Sequence, residues 1–278
     1  MATIHEVCRY LHEVAPLSLA EDWDNVGLLL GDEATDVARA ITCLTLTPDV
    51  ADEAVAVGAR LIVTHHPILF KPVQRLTAAT SEGRMLLKLL RHGIAVYSPH
   101  TAYDNSATGV NQQLAELLEL TDIAPLRPRV SGDHFKLATI DILPMKSFPD
   151  GSGRGRFGRL LQPMSLGELN QIVKDRLQQP QIQFVGNPSS KIETLGIACG
   201  AAAEFLRDAH RAGCQALLTG EARFHACLEA RDLQVALILP GHYATERPAM
   251  ETLAVRLASQ FPGLIATASE KDRDPVSG

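Results

Sequence analysis

Short apolar runs alternate with amphipathic stretches along most of this chain. The runs Ile41-Thr42-Cys43-Leu44-Thr45-Leu46, Leu61-Ile62-Val63-Thr64 and Ile94-Ala95-Val96-Tyr97 have the length and β-branched content of buried strands. Helical periodicity fills the intervals between them. The same order recurs later: Thr194 to Cys199, a helix ending Ala212-Gly213-Cys214, the strand Ala216 to Thr219, another helix, then Val235 to Leu239. Each half opens with a helix, from about Thr3 and from about Ser165. Each also closes with one, Val110 to Leu120 and Ala249 to Phe261. The pattern predicts an α/β protein with two internally duplicated halves, 1–125 and 165–278, and a mainly parallel sheet order. A linking strand at Lys136 to Leu143 and a glycine-rich segment occupy 126–164.

Candidate chemistry gathers where the predicted strands end, which is where α/β sheets collect ligands. His65 and His66 follow the second run directly, and Pro67 holds His66 extended. Neighbouring strand side chains point to opposite faces, so the pair serves two ions from one loop better than it chelates one. His100 and Asp104 follow the next strand, and His242 and Glu246 follow its counterpart. Spacing of four puts each pair on one side of a helical turn. His65, His66, Asp104, His242 and Glu246 therefore form a candidate ligand set for two divalent ions in a cleft between the halves. Nitrogen and oxygen donors without thiolates suit zinc, iron, manganese, nickel or cobalt. His100 is either a ligand or an orienting group, and Asn25 is a candidate orienting group. Glu221, in the position corresponding to the His65-His66 loop, is a candidate general acid or base. Its competing role is to cap a helix start. His225 lies one turn further on.

Composition narrows the class. The net charge is −6 over 278 residues, which gives no general electrostatic reason for nucleic-acid binding. A local basic patch at Arg154, Arg156 and Arg159 remains. Gly153-x-Gly155-x-x-Gly158 fits a dinucleotide fingerprint in letters only, because no strand precedes it and no long helix follows. A flexible arm or hairpin whose arginines meet phosphate is the better expectation. The five scattered cysteines read as small buried residues in a reducing compartment, not as a disulfide frame. No run is long enough to span a membrane, and the N-terminus lacks a signal-peptide shape, so a cytoplasmic location is expected. Trp23 is expected in the core, and Asp22, Asp24 and Asn25 are expected to shape a turn. His5, His12, His92, His134 and His210 are expected on the surface or along helices.

Five motifs carry a family resemblance across nearly the whole chain: Glu21 to Leu28, Val63 to Pro67, His100 to Asp104, Leu218 to Glu221, and Gly241 to Glu246. The chain resembles the Nif-three-like, or YbgI-type, dinuclear metal centre family, some of whose members are called GTP cyclohydrolase 1 type 2 homologues. The resemblance implies two intertwined α/β halves with mixed sheets and a dinuclear site on the same five ligands. It also implies a toroidal homohexamer, a trimer of dimers with metal sites facing the cavity. Arg223-Phe224-His225 departs from the His-His pair that many members carry there, so no role carries over to His225. The functional expectation is a metal-dependent hydrolase of a small anionic nucleotide or phosphoester. The alternatives are a metal-handling or regulatory protein without turnover, and a ring-shaped scaffold for a partner or nucleic acid.

Overall fold

The computed structural model describes residues 1–128 and 151–276. The first elements are β1 (Ala2–Thr3), α1 (Ile4–Val14), β2 (Gly27–Leu30), β3 (Asp36–Val37), β4 (Arg39–Cys43), α2 (Pro48–Ala56), β5 (Leu61–Thr64) and α3 (Ser81–Arg91). Next come β6 (Ala95–Ser98), α4 (His100–Asn105), α5 (Val110–Leu117), β7 (Thr121–Ala124), β8 (Arg127–Pro128), β9 (Gly153–Arg154), β10 (Arg156–Ser165) and α6 (Leu166–Arg176). The last are β11 (Gln183–Val185), β12 (Lys191–Ala198), α7 (Leu206–Arg211), β13 (Ala216–Thr219), α8 (Phe224–Leu233), β14 (Ala236–Leu239), α9 (His242–Gln260) and β15 (Ile265–Ala268). The strand expected at Lys136 to Leu143 lies outside the described residues.

The chain divides into two compact units, one of Met1–Tyr103 with Arg247–Pro275, the other built on the described residues of Asp104–Glu246. Their boundaries fall inside α4 and α9, not at the repeat boundaries read from sequence. In the first unit the sheet order is β15-β4-β5-β6-β2. The first four strands are parallel, and β2 runs antiparallel along β6. Every residue of β5 and β6 is buried, as strands covered on both faces require. Ile41, Ile62 and Val96 meet Val50, Ala54, Leu86 and Leu89 of α2 and α3 in one core. Beyond β15 the chain is tied down at Asp272. Asp272 is buried, accepts the Leu44 amide and pairs with Arg247 at 3.2 Å.

In the second unit the order is β11-β14-β13-β12-β10-β7, with β12, β13 and β14 parallel. Its core joins Leu217 and Leu237 to Leu206, Ala209 and Ala230. The opening helices correspond in their caps as well as their order. Thr3 with Glu6 and Ser165 with Glu168 each form a reciprocal capping box, which fixes where α1 and α6 begin.

Two expectations fail here. The glycine-rich segment is not a flexible arm: Gly153 lies in β9 and Gly158 in β10, with Gly155 between the two strands, and β10 pairs with both β12 and β7. Arg156 does not face solvent. It is 0% exposed, and its guanidinium donates to the carbonyls of Gly153, Gly155 and Ser106 and to Gln112 Oε1. Burial lowers its pKa to about 10, so it stays charged at neutral pH. A buried guanidinium committed to four acceptors is a structural tie, so the phosphate-binding patch loses this member.

Arg156→Met leaves those buried carbonyls without a donor and should destabilise the protein by on the order of 3 kcal/mol. Arg154→Ala, at an exposed position, should stay within about 0.5 kcal/mol. Urea midpoints compare the two, and equal midpoints would contradict the structural role.

Candidate metal centre

In the first unit, the end of β5 delivers two imidazoles. The amides of His65 and His66 bond the carbonyls of Cys43 and Leu44 at the end of β4, at 3.0 and 2.9 Å. The buried Thr64 hydroxyl bonds the Leu44 and His66 carbonyls, and Ser98 Oγ bonds the His65 carbonyl at 2.7 Å. The loop is thus tied to both neighbouring strands. His66 Nδ1 lies 2.8 Å from Thr45 Oγ1. If Nδ1 carries the proton, it donates to Thr45, and Nε2 is left as the metal donor.

His100 opens α4 at φ +27°, a left-handed value that costs a histidine strain. Asp24 holds it there. The Asp24 side chain is 0% exposed and lies 2.7 Å from His100 Nδ1, and it also accepts the Thr101 amide and hydroxyl. Burial alone would raise this carboxyl. The hydrogen bond and charge of His100, with bonds from Thr101 and the Asn25 amide, hold it below its usual value. The result is a cluster in which one nitrogen from each of His65, His66 and His100 lies within 4.8 Å of the others.

The second unit repeats the construction with different donors. The buried Thr219 hydroxyl ends β13 and bonds the Gly200 carbonyl at 3.1 Å, and the Glu221 amide bonds the same carbonyl at 3.2 Å. Gly241 donates to the Gly220 carbonyl, as Ser98 does to that of His65. His242 and Glu246 occupy one turn at the start of α9, with Nε2 and Oε2 3.0 Å apart. This helix begins seven positions before the expected Ala249, which places both donors on regular backbone. On the other side of the ring, His242 Nδ1 lies 3.2 Å from Glu221 Oε1. The Glu246 bond raises the His242 pKa to about 9 against the opposing effect of burial, with help from the Glu246 charge and from Glu221.

Two glycines make room for these groups. A Cβ at Gly200, which sits at φ +69°, would lie 2.1 Å from Glu246 Oε1 and 3.2 Å from His242 Nε2. A Cβ at Gly220 would meet the His242 backbone at 2.7 Å. Asp104 is half-buried, and its carbonyl accepts Asn111 Nδ2 at 3.0 Å. Burial raises the nearby Cys199 thiol well above its usual value, reinforced by the Glu246 and Asp104 charges.

The structure gathers His65, His66 and His100 in one unit and His242, Glu246 and Glu221 in the other. Glu221 reaches His242, while the residue preceding α8 is Arg223. His225 is exposed on α8 with its ring against Phe224, outside the imidazole cluster. Asn25 donates to the Leu69 carbonyl at 3.0 Å. Asp24, read as a turn residue, is the partner of His100, and Trp23, expected in the core, is 61% exposed. Sequence reading also missed Thr45 and Gly200. One usable signal existed for Asp24: an orienting histidine generally needs a carboxylate behind its second nitrogen.

A family model described as Duf34/NIF3 (NGG1p interacting factor 3) matches residues 2–275. The chain is 31% identical over 254 residues to a Clostridium acetobutylicum protein named GTP cyclohydrolase 1 type 2 homolog, covering 91% of this chain and 89% of that one. The solved structure of Staphylococcus aureus protein SA1388 is similar with a TM-score of 0.86 at 27% identity, covering 100% and 99% of the two chains. A Bacillus cereus protein related to NIF3 gives a TM-score of 0.87 at 21% identity over 100% and 99% of the chains, a likeness of fold.

In protein stripped of metal by chelation, His242 should titrate near 9, and Glu246→Gln should move it down. Because this pKa is raised on folding, its stabilising contribution is complete below about 6.5 and is lost as pH rises through about 9. NMR of the ring protons reads both values, and an unshifted His242 in the variant would remove Glu246 as the cause. Gly200→Ala should displace the Glu246 carboxylate and cost about 1–2 kcal/mol through its left-handed backbone. Its metal content should fall more than that of Gly58→Ala, whose glycine also has positive φ but has no heavy atom near the added Cβ.

Proposed function

The chain belongs to the DUF34/NIF3 family, and from that premise we propose that it is a dinuclear divalent-metal protein that hydrolyses a small anionic nucleotide or phosphoester. The proposed ligands are His65, His66, Asp104, His242 and Glu246, serving two ions in common, with His100 beside them as a further ligand or an orienting group. The observation that carries this reading is the close imidazole cluster at the end of β5. Three nitrogen donors within reach of one another, one of them 1% exposed, favour a divalent cation over bulk water. The imidazole and carboxylate donors at the start of α9 match the same chemistry, and the buried cysteines supply no competing thiolate set. Zinc, iron, manganese, nickel and cobalt all suit these donors. A pair of such ions would acidify water and stabilise negative charge developing on a substrate oxygen.

The residues around the ligands have distinct tasks in this proposal. Asp24 fixes the His100 ring through Nδ1, and Thr45 does the same for His66. Glu221 orients His242 and, being exposed, is placed to exchange a proton with solvent. The nucleotide class draws support from the cyclohydrolase name of the Clostridium acetobutylicum relative. A toroidal hexamer in the cytoplasm completes the proposal. Among the described residues, no helix is long and apolar enough to cross a membrane.

Metal content per chain, measured without a nickel affinity step, tests the ligand set. About two ions are expected for the wild type. Glu246→Gln and the His65→Ala, His66→Ala pair should each lose metal, while Asp24→Asn should weaken binding by about 10–100-fold. Full metal in all variants would discard the ligand set. Fully loaded protein that turns over no nucleotide or phosphoester would shift the reading to metal handling.

A further inference from the structure

Trp23 and Phe70 stand out as large aromatic side chains exposed next to the imidazole cluster. They are 61% and 47% exposed, and their ring centroids are 6.0 Å apart. Trp23 also lies 6.2 Å from the His100 ring, which is itself 5.2 Å from His65. Both contacts of the indole are of the edge type, so neither ring lies flat against it. Each aromatic is held by a tether at the adjacent residue. Asp24 is bound to His100 and Thr101, and the Leu69 carbonyl accepts Asn25 Nδ2. Leu69 sits at φ +54°, a conformation that a leucine rarely adopts without such support. The chain thus spends two buried or strained residues on fixing two side chains that contribute little to the core. Lys71 and Arg75 are exposed on the same segment and add positive charge.

We infer that Trp23 and Phe70 form a preformed ledge that stacks the planar heteroaromatic ring of a nucleotide while its phosphate faces the metal centre. The inference rests on the proposed metal reading and specifies the substrate class for that site. Stacking of a base on an aromatic side chain tolerates any base, because every base has a π-face. The ledge therefore selects nucleotides over sugar phosphates without selecting among purines. Rigid placement limits the ordering cost of binding.

Trp23 is the only tryptophan of the chain, so indole emission, excited to the red of tyrosine absorption, reports on the ledge alone. Metal-loaded protein is titrated with guanosine monophosphate, adenosine monophosphate and ribose 5-phosphate. Both nucleotides should quench the emission saturably, and ribose 5-phosphate should bind about tenfold more weakly or worse. Phe70→Ala should weaken nucleotide binding by about tenfold, and calorimetry should show at least as much loss in Trp23→Ala. Metal content should equal that of the wild type in both variants. Equal affinity for ribose 5-phosphate, or wild-type nucleotide affinity in Trp23→Ala, would overturn the ledge and leave the metal reading standing. Emission that changes with protein concentration but not with nucleotide would overturn it in favour of a contact between copies of the chain. Quenching by nucleotides, but not by ribose 5-phosphate, in a wild type that takes up no metal even after reconstitution would support the ledge and remove the metal reading.

Discussion

A threonine hydroxyl at the end of a strand buried on both faces has no water to bond. It must find a carbonyl, and the carbonyl it finds belongs to the neighbouring strand end. Thr64 and Thr219 are both fully buried, and they solve the problem identically. Thr64 bonds Leu44 and Thr219 bonds Gly200, each the residue after a buried cysteine. The amides of His66 and Glu221 converge on the same two carbonyls. An unmet hydroxyl or carbonyl at such a depth would cost about 1–3 kcal/mol, so the loops that carry the chemistry inherit the rigidity of the sheets.

The duplicated scaffold has kept this bonding and changed what it presents. One loop offers two adjacent imidazoles; its counterpart offers Gly220, pressed against the His242 backbone, and Glu221, turned to the His242 ring. The helices after the third strands diverged less. Both start at a histidine and carry a carboxylate one turn later. His100 has Asp24 behind it and His242 has Glu221, so each ring is oriented by an acid reached from a different part of the chain. Similar constraints on imidazole orientation were met by unrelated segments.

Features that depend on local pattern were legible in the sequence. Apolar runs of four residues located β5 and β13 to the residue, and the helices expected from about Thr3 and about Ser165 are α1 and α6. The spacing of four in His100 to Asp104 and His242 to Glu246 matched helical turns that begin at each histidine. Features that depend on distant partners were not legible. Arg156 looked solvated among glycines because its acceptors at Ser106 and Gln112 come from another part of the chain. Asp24 looked like a turn residue because His100 is 76 positions away. Trp23 was assigned to the core on hydrophobicity alone, a rule blind to aromatics held at the surface. Gly200 gave no signal, since the side chain it makes room for is brought there only by folding.

The division inside α4 and α9 has a consequence for how the protein is made. The unit built on Asp104–Glu246 draws nearly all of its described residues from one stretch of chain. The other begins at the first residue yet waits for β15, whose partner across the sheet is β4. Synthesis must therefore run through β15 before that sheet can close. Until then β4 presents an unsatisfied edge, with the aggregation hazard such edges carry. The unit whose strands are made earlier is thus completed after the one made between its two stretches.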